Sequence, residues 1–231
     1  MTNLSKPSIW VCNSTDNEIP YKVNVDTLRP LASITKLMSA MIFLDHNPDL
    51  NRTVPLEKNL PTELPPGNYT QSELLLSMLI SSDNAAAETL ATNYSSGRDG
   101  FINAMNNRAQ QLGMLCTNFV DPSGDSQTNL STATDIHKLL LATLSYGLIQ
   151  SVTSTKQLLI NNTYLQNSNL DLLSAINGIL INKTGRGKTA KFCQAMVITK
   201  NKKIYTLILL GIATPEERSQ FTSKLAAAYV K

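Results

Sequence analysis

Apolar residues recur along this chain in two rhythms. In the stretch LASITKLMSAMIFL, residues 31 to 44, Ile34, Leu37, Met38, Met41 and Ile42 fall at the i, i+3, i+4, i+7, i+8 positions of one helical face. The spacing predicts a buried or half-buried helix whose only charge is Lys36. Burying an ammonium among such neighbours is costly and pushes its pKa down, so the lysine calls for a use. Ser33 lies three residues earlier, on the same side and in the first turn. Further on, Thr70 and Glu73 form the capping-box pattern that opens a helix through LLLSMLI. That helix stops at SSDN, and another begins in NAAAETLATNY. RDGFINAMNNRAQQLG places Ile102, Met105, Ala109 and Leu112 at helical spacing, with Asp99 as the expected N-cap and Gly113 just past the end. STATDIHKLLLATLSYG repeats the pattern with Ile136, Leu139, Leu140 and Leu144, closed by Gly147.

The second rhythm is that of strands, and it stands at both ends of the chain. SIWVCN and PYKVNV, joined by the turn residues STDNE, predict a hairpin. GILINKTG, FCQAMVITK and KIYTLILLGIA are β-branched or apolar runs separated by the turn-like RGKTAK and NKK, and PEERSQFTSKLAAAYV closes the chain as a helix. The Pro- and Asn-rich stretch 45 to 69 is expected to be mostly loop. Strands at both ends with helices between imply a sheet assembled from distant segments and an inserted helical region.

Composition narrows the class. With 231 residues the chain can bury one good-sized core or two small lobes, and 42% hydrophobic with 16% charged residues is a globular balance. Net charge is +3 and the only basic cluster is KNKK at 200 to 203, read as a hairpin turn, so nucleic-acid binding gains no support. Cys12, Cys116 and Cys193 are far apart and odd in number, which predicts unpaired, mostly buried thiols. His46 trails a helix end and His137 sits mid-helix beside Lys138, so a Ser-His-Asp triad is not expected, and without paired acidic spacing neither is a zinc site; no cofactor is implied. The N-terminus has no apolar signal core, and no apolar stretch approaches the roughly 20 residues of a membrane span, so no transmembrane segment is expected.

The candidate chemistry sits in three short patterns. S-x-x-K occurs at Ser33 to Lys36, S-x-N at Ser82 to Asn84, and K-T-G at Lys183 to Gly185. Chance alone would supply roughly one S-x-x-K in a chain of ordinary composition, so each is weak by itself. Each occurs once and in this order, the first in an apolar helix, the second between two helices, the third at the end of a strand. A helix's first turn offers a backbone N–H near the dipole's positive end, where charge developing on an acyl oxygen is stabilised. Lys36 can take the Ser33 proton if burial and a second cation, for which Lys183 is the candidate, hold it neutral.

The trio is the one shared by penicillin-binding proteins and class A β-lactamases. LISSDNAAAETLA, GFINAMNNRAQQLGM, FVDPSGDSQTNLSTATDIHKLL and NKTGRGKTAKFC extend the match, and the chain resembles the low-molecular-weight penicillin-binding proteins of the D-alanyl-D-alanine carboxypeptidase and endopeptidase family from about Trp10 to the last helix. TNYSSGRDGFINAMNNRAQQLGM and LQNSNL lean towards the endopeptidase branch. The resemblance implies an α+β fold: a mostly antiparallel sheet flanked by the N- and C-terminal helices, an inserted all-helical lobe, and the active site in the seam. It implies one domain over 1 to 231, with a sheet lobe from about 1 to 50 and 150 to 231, a helical lobe from about 51 to 149, and no β-rich C-terminal domain. Ser33, Lys36 and Ser82 become the catalytic candidates, with Ser82 relaying a proton to the leaving amine. Asn84 would hold the substrate amide, Lys183 and Thr184 the terminal carboxylate beside Gly185, and Arg186 would give the second oxyanion N–H. Peptidoglycan stem peptides are the implied substrates and β-lactams the covalent inhibitors.

Two features separate readings within and beyond that family. Class A β-lactamases activate their hydrolytic water with a glutamate between the second and third motifs, and no Glu stands between Glu88 and Glu216 here, so a long-lived penicilloyl-Ser33 is expected rather than fast turnover. Asp121 and Asp125 in DPSGD are read as turn residues. Lys191 stands at or near a glycine usual in the family, where it would either narrow the site or add surface charge. A catalytically weak wall-binding or virion component that kept the fold is the alternative function. The location follows: facing the periplasm or wall if exported, or delivered with a virion.

Overall fold

The computed structural model describes residues 4–57 and 60–231. Its main sheet has five antiparallel strands: β1 (Ser8–Asn13), β2 (Glu18–Val23), β9 (Ile179–Gly187), β10 (Lys191–Lys200) and β11 (Lys203–Ile212), in the order β2-β1-β11-β10-β9. The predicted N-terminal hairpin is present, and β1 docks against β11 with Trp10 opposite Ile208. Four short pieces, β3 (Arg29–Pro30) with β6 (Leu130–Ser131) and β4 (Thr53–Pro55) with β5 (Asn68–Thr70), pair two by two. The stretch 45 to 69 is otherwise irregular where it is described, residues 58 and 59 lying outside the described part. A further hairpin, β7 (Gln157–Ile160) with β8 (Thr163–Gln166), has no counterpart in the sequence reading.

The helices are α1 (Lys36–Asp45), α2 (Gln71–Ile80), α3 (Asn84–Thr92), α4 (Gly97–Gln111), α5 (Ala133–Thr143), α6 (Gly147–Thr153), α7 (Leu170–Ala175) and α8 (Pro215–Tyr229). Thr70 and Glu73 make the expected reciprocal cap of α2. Gly113, at φ +71°, follows the end of α4 as expected. Asp99 is not the N-cap of α4: that position is Ser96, and Asp99 lies in the first turn, where its charge meets the dipole's positive end. Gly147 does not close α5 either, since the chain turns at Leu144 and Gly147 opens α6, which buries Ile149 and Val152.

Strands β1, β10 and β11 bury apolar residues on both faces of the sheet, so they read as near-continuous runs rather than alternations, whereas the edge strand β2 is largely exposed. Ile9, Val11, Met196, Leu207 and Leu209 face α8, where Leu225 and Ala226 cover them. Trp10, Cys12, Ala195, Val197 and Ile208 face the larger core, which contains α1. Leu37, Met38 and Met41 are fully buried there, so the helix inferred from their spacing is the centre of the helical packing. The three cysteines are free, Cys12 and Cys193 buried and Cys116 exposed. Among the described residues no helix is long and apolar enough to cross a membrane.

Candidate active site

Ser33 does not sit in an α-helix proper. It lies in a one-turn 3₁₀ helix, Ala32–Thr35, which runs directly into α1 at Lys36. Ala32 adopts φ +47°, a conformation that L-residues rarely hold and that marks stored strain beside Ser33. Ser82, between α2 and α3, is likewise at φ +68°. The third motif lies on β9, the edge strand of the sheet, and β9 packs against the 3₁₀ turn. Gly185 makes that approach feasible, because a Cβ there would stand 2.7 Å from the Leu31 carbonyl oxygen.

The three segments, remote in sequence, meet through two buried amines. Lys36 Nζ lies 3.0 Å from Ser33 Oγ, 2.6 Å from Asn84 Oδ1 and 2.5 Å from the Ser123 carbonyl oxygen. Two of these neighbours are pure acceptors and take two N–H bonds. The third position faces Ser33, so a neutral Lys36 turns its lone pair to the hydroxyl. Lys183 Nζ donates to Ser82 Oγ at 2.8 Å and to the Thr184 carbonyl at 3.4 Å. Lys36 and Lys183 are 0% and 1% exposed, and neither has a carboxylate within ion-pair distance among the described residues.

Burial is what lowers Lys36, to about 7; the carboxylates of Asp121, Asp83, Asp125 and Glu88 pull the other way. The expectation that a second cation holds Lys36 down therefore needs correcting. The repulsion appears at Lys183, pushed well below the ordinary lysine value by burial first, then by Lys36 and Arg218. Thr184 Oγ1 lies 2.7 Å from Ser168 Oγ, and Arg186 is exposed at the lip. A cleft of about 220 Å³ is lined by Ser33, Asn84, Asp125, Gln127, Arg186 and Lys188. A larger cavity of about 550 Å³ lies by α8 and contains none of the motifs.

Residues 3–214 match the family described as D-alanyl-D-alanine carboxypeptidase, a family of peptidases. The chain belongs to it. Within this D-alanyl-D-alanine carboxypeptidase family it is 33% identical over 221 residues to a D-alanyl-D-alanine endopeptidase of Pseudomonas aeruginosa, covering 90% of this chain and 71% of that one. The endopeptidase of Escherichia coli is 34% identical over 229 residues, covering 90% and 74%. Among solved structures, penicillin-binding protein D2 from Listeria monocytogenes in its ampicillin-bound form superposes with a TM-score of 0.89 at 29% identity, over 97% of this chain and 96% of that one. The α+β fold read from the sequence is the fold of these family members.

The family's motifs do not account for every group at the site. Ser123 contributes through its carbonyl and Ser168 through a hydroxyl on Thr184, and neither was singled out from the sequence. Asp121 and its DPSGD segment do form a turn, in which the Asp121 carboxylate accepts the backbone N–H groups of Ser123, Gly124, Asp125 and Ser126. Lys191 opens β10 at φ +55°, a backbone conformation suited to glycine, and is not among the residues lining the cleft. His137 is a packing residue: its Nδ1 is 2.8 Å from Thr206 Oγ1, its ring is 5.0 Å from that of Trp10, and burial lowers its pKa to about 4.

Gly124 joins the turn to the segment that carries Ser33. It adopts φ +82°, and a Cβ would lie 2.0 Å from the Ala32 carbonyl oxygen, so backbone must move. Gly124→Ala is expected to cost about 2 kcal/mol or more and to slow acylation by displacing Ala32 and Ser33, as denaturant melts and β-lactam trapping will show. The pH dependence is a second expected result. With Lys36 as the expected base, protonation below about 7 blocks acceptance of the Ser33 proton, so the acylation rate is expected to rise with pH through that value, and a rate flat from pH 5.5 to 9 would rule the amine out. Because its folded value lies below the unfolded 10.5, this amine contributes stability that rises with pH between about 7 and 10.5, and its cost is constant below.

Proposed function

We propose that this protein is a serine D,D-peptidase acting on peptidoglycan stem peptides through an acyl-Ser33 intermediate. The observation that carries the assignment of roles is Lys36 Nζ, 3.0 Å from Ser33 Oγ with its other two hydrogens committed to acceptors. Lys36 takes the hydroxyl proton as Ser33 Oγ bonds to the carbonyl carbon of the penultimate D-alanine. The N–H groups of Ser33 and Arg186 receive the oxyanion. Ser82, bonded to Lys183, passes its proton to the departing amine as the C–N bond breaks and takes one back from a lysine ammonium, Lys183 or the newly protonated Lys36, so that it acts as a relay. Water then attacks the acyl-enzyme and regenerates the serine. Lys183 and Thr184 supply positive charge and a hydroxyl for the carboxylate beside the scissile bond, and β9, as an edge strand, leaves one side of its backbone for an extended peptide.

The endopeptidase subtype, cleaving D-alanyl cross-links, is favoured by the two curated relatives described above, both named endopeptidases. β-Lactams acylate Ser33 and leave slowly. The Asp121 carboxylate is committed to holding its own turn, Oδ1 accepting from four loop donors and Oδ2 from the Ser126 N–H. The wall is where such peptides lie, so the enzyme works there. Digestion of purified cross-linked muropeptide dimers tests the reading. Release of monomers supports the endopeptidase; release of D-alanine alone moves the protein to the carboxypeptidase branch. Neither product, together with no penicilloyl mass shift, would leave the wall-binding or virion-component reading instead.

A further inference from the structure

The buried carboxylate at position 121 lies outside the three motifs, yet the turn it holds reaches Lys36 through Ser123. Asp121 is 6% exposed, and its Oδ1 accepts from the Ser123, Gly124 and Asp125 N–H groups and from Ser123 Oγ, while Oδ2 accepts from the Ser126 N–H. All five donors are neutral, and among the described residues no cation lies within ion-pair distance. The turn so formed aims the Ser123 carbonyl at Lys36 Nζ, 2.5 Å away. Its neighbours are anchored separately: Ser39 Oγ, on α1, donates to the Pro122 carbonyl at 2.6 Å, and Asn129 Nδ2 donates to the Asp121 carbonyl at 3.0 Å.

Resting on the reading of Lys36 as the base, we propose that Asp121 is a positioning residue for acylation, holding the Ser123 carbonyl on the Lys36 amine and placing a buried negative charge in the turn that touches it. The other charges facing Lys36 are committed elsewhere or lie in solvent. Asp83 caps α3 and accepts from Thr62 Oγ1 and Ser77 Oγ. Glu88 is paired with Arg98 at 2.7 Å. Asp125 is exposed at the mouth, and Lys183 on β9 is a buried amine of like sign. Burial lowers Lys36, and Asp121 is the foremost of the charges that oppose it, ahead of Asp83, Asp125 and Glu88. Without that opposition the amine would be neutral over a wider range but a weaker base, and a general base works best when its pKa lies near the working pH.

Asp121→Asn removes the charge and keeps Oδ1, so four of the five loop bonds survive. The measurement is the acylation rate by a fluorescent penicillin as a function of pH, for wild type and variant. In the wild type the rising limb is expected near 7, where burial places Lys36. In Asp121→Asn it is expected on the order of one pH unit lower, with a reduced plateau because the weaker base accepts the proton less well. A purely structural role would lower the rate at every pH and leave the limb in place, which would overturn the inference alone. Absence of acylation in the wild type at any pH would instead overturn the assignment of Ser33 and Lys36, and this inference with it. If Asp121→Asn does not fold, Asp121→Ser is measured in its place. Failure of both neutral variants to fold would make the carboxylate structural and likewise overturn the proposal.

Discussion

Replacing Ser33 with alanine is expected to abolish covalent labelling by penicillin and to reduce peptidase turnover by about 10⁴-fold or more, since loss of a nucleophile that acts together with its base removes the covalent route entirely. The fold should survive. Ser33 is half-buried, its hydroxyl makes one hydrogen bond, to Lys36, and Lys36 keeps both of its other acceptors. A change of about 1 kcal/mol or less is expected in a denaturant melt. Intact mass after penicillin treatment reads the outcome: wild type gains one penicilloyl group and Ser33→Ala none. A variant labelled as heavily as wild type would show that another side chain is being acylated.

Lys36→Ala is the second large effect. General-base assistance is worth about 10²- to 10⁴-fold, and among the described residues no other amine is hydrogen-bonded to Ser33, Lys183 being bonded to Ser82. Acylation should therefore fall by that factor, and raising the pH should not restore it, since the group whose deprotonation gave the limb is gone. Stability is a balance of opposing effects. Truncation leaves the Asn84 side-chain oxygen and the Ser123 carbonyl without their donor, at about 1 to 3 kcal/mol for each unsatisfied group. It also relieves the desolvation that lowers the pKa of this fully buried amine to about 7. A folded variant that acylates at a near-normal rate would remove Lys36 from its role, whereas a slow one without the pH limb supports it.

The legible parts of the molecule share a physical cause. Helix α1 could be read because five apolar side chains repeat at the period of the backbone, and the two ends of the sheet because their strands are apolar on both faces. The cap of α2 was visible because Thr70 and Glu73 bond each other's backbone within one turn. Where local signals misled, at Asp99 and Gly147, a residue suited to a helix end was used inside or at the start of the next helix. The β7–β8 hairpin carries exposed Leu159 and Tyr164 opposite each other and has no clean alternation to betray it. Ser123 escaped notice for a different reason: it acts through a carbonyl that every residue possesses.

Residue identity and order along the chain were enough to say that a serine, two lysines, a second serine and an asparagine occur in motifs suited to acyl transfer, because side-chain chemistry and local period are properties of short segments. Folding in three dimensions decided which of them touch. It set Lys36 against Asn84 and Ser123, gave Ser82 to Lys183, and shielded both amines from water. Proton affinity depends on solvent exclusion and on charges brought close by contacts between remote segments, and no local pattern encodes either.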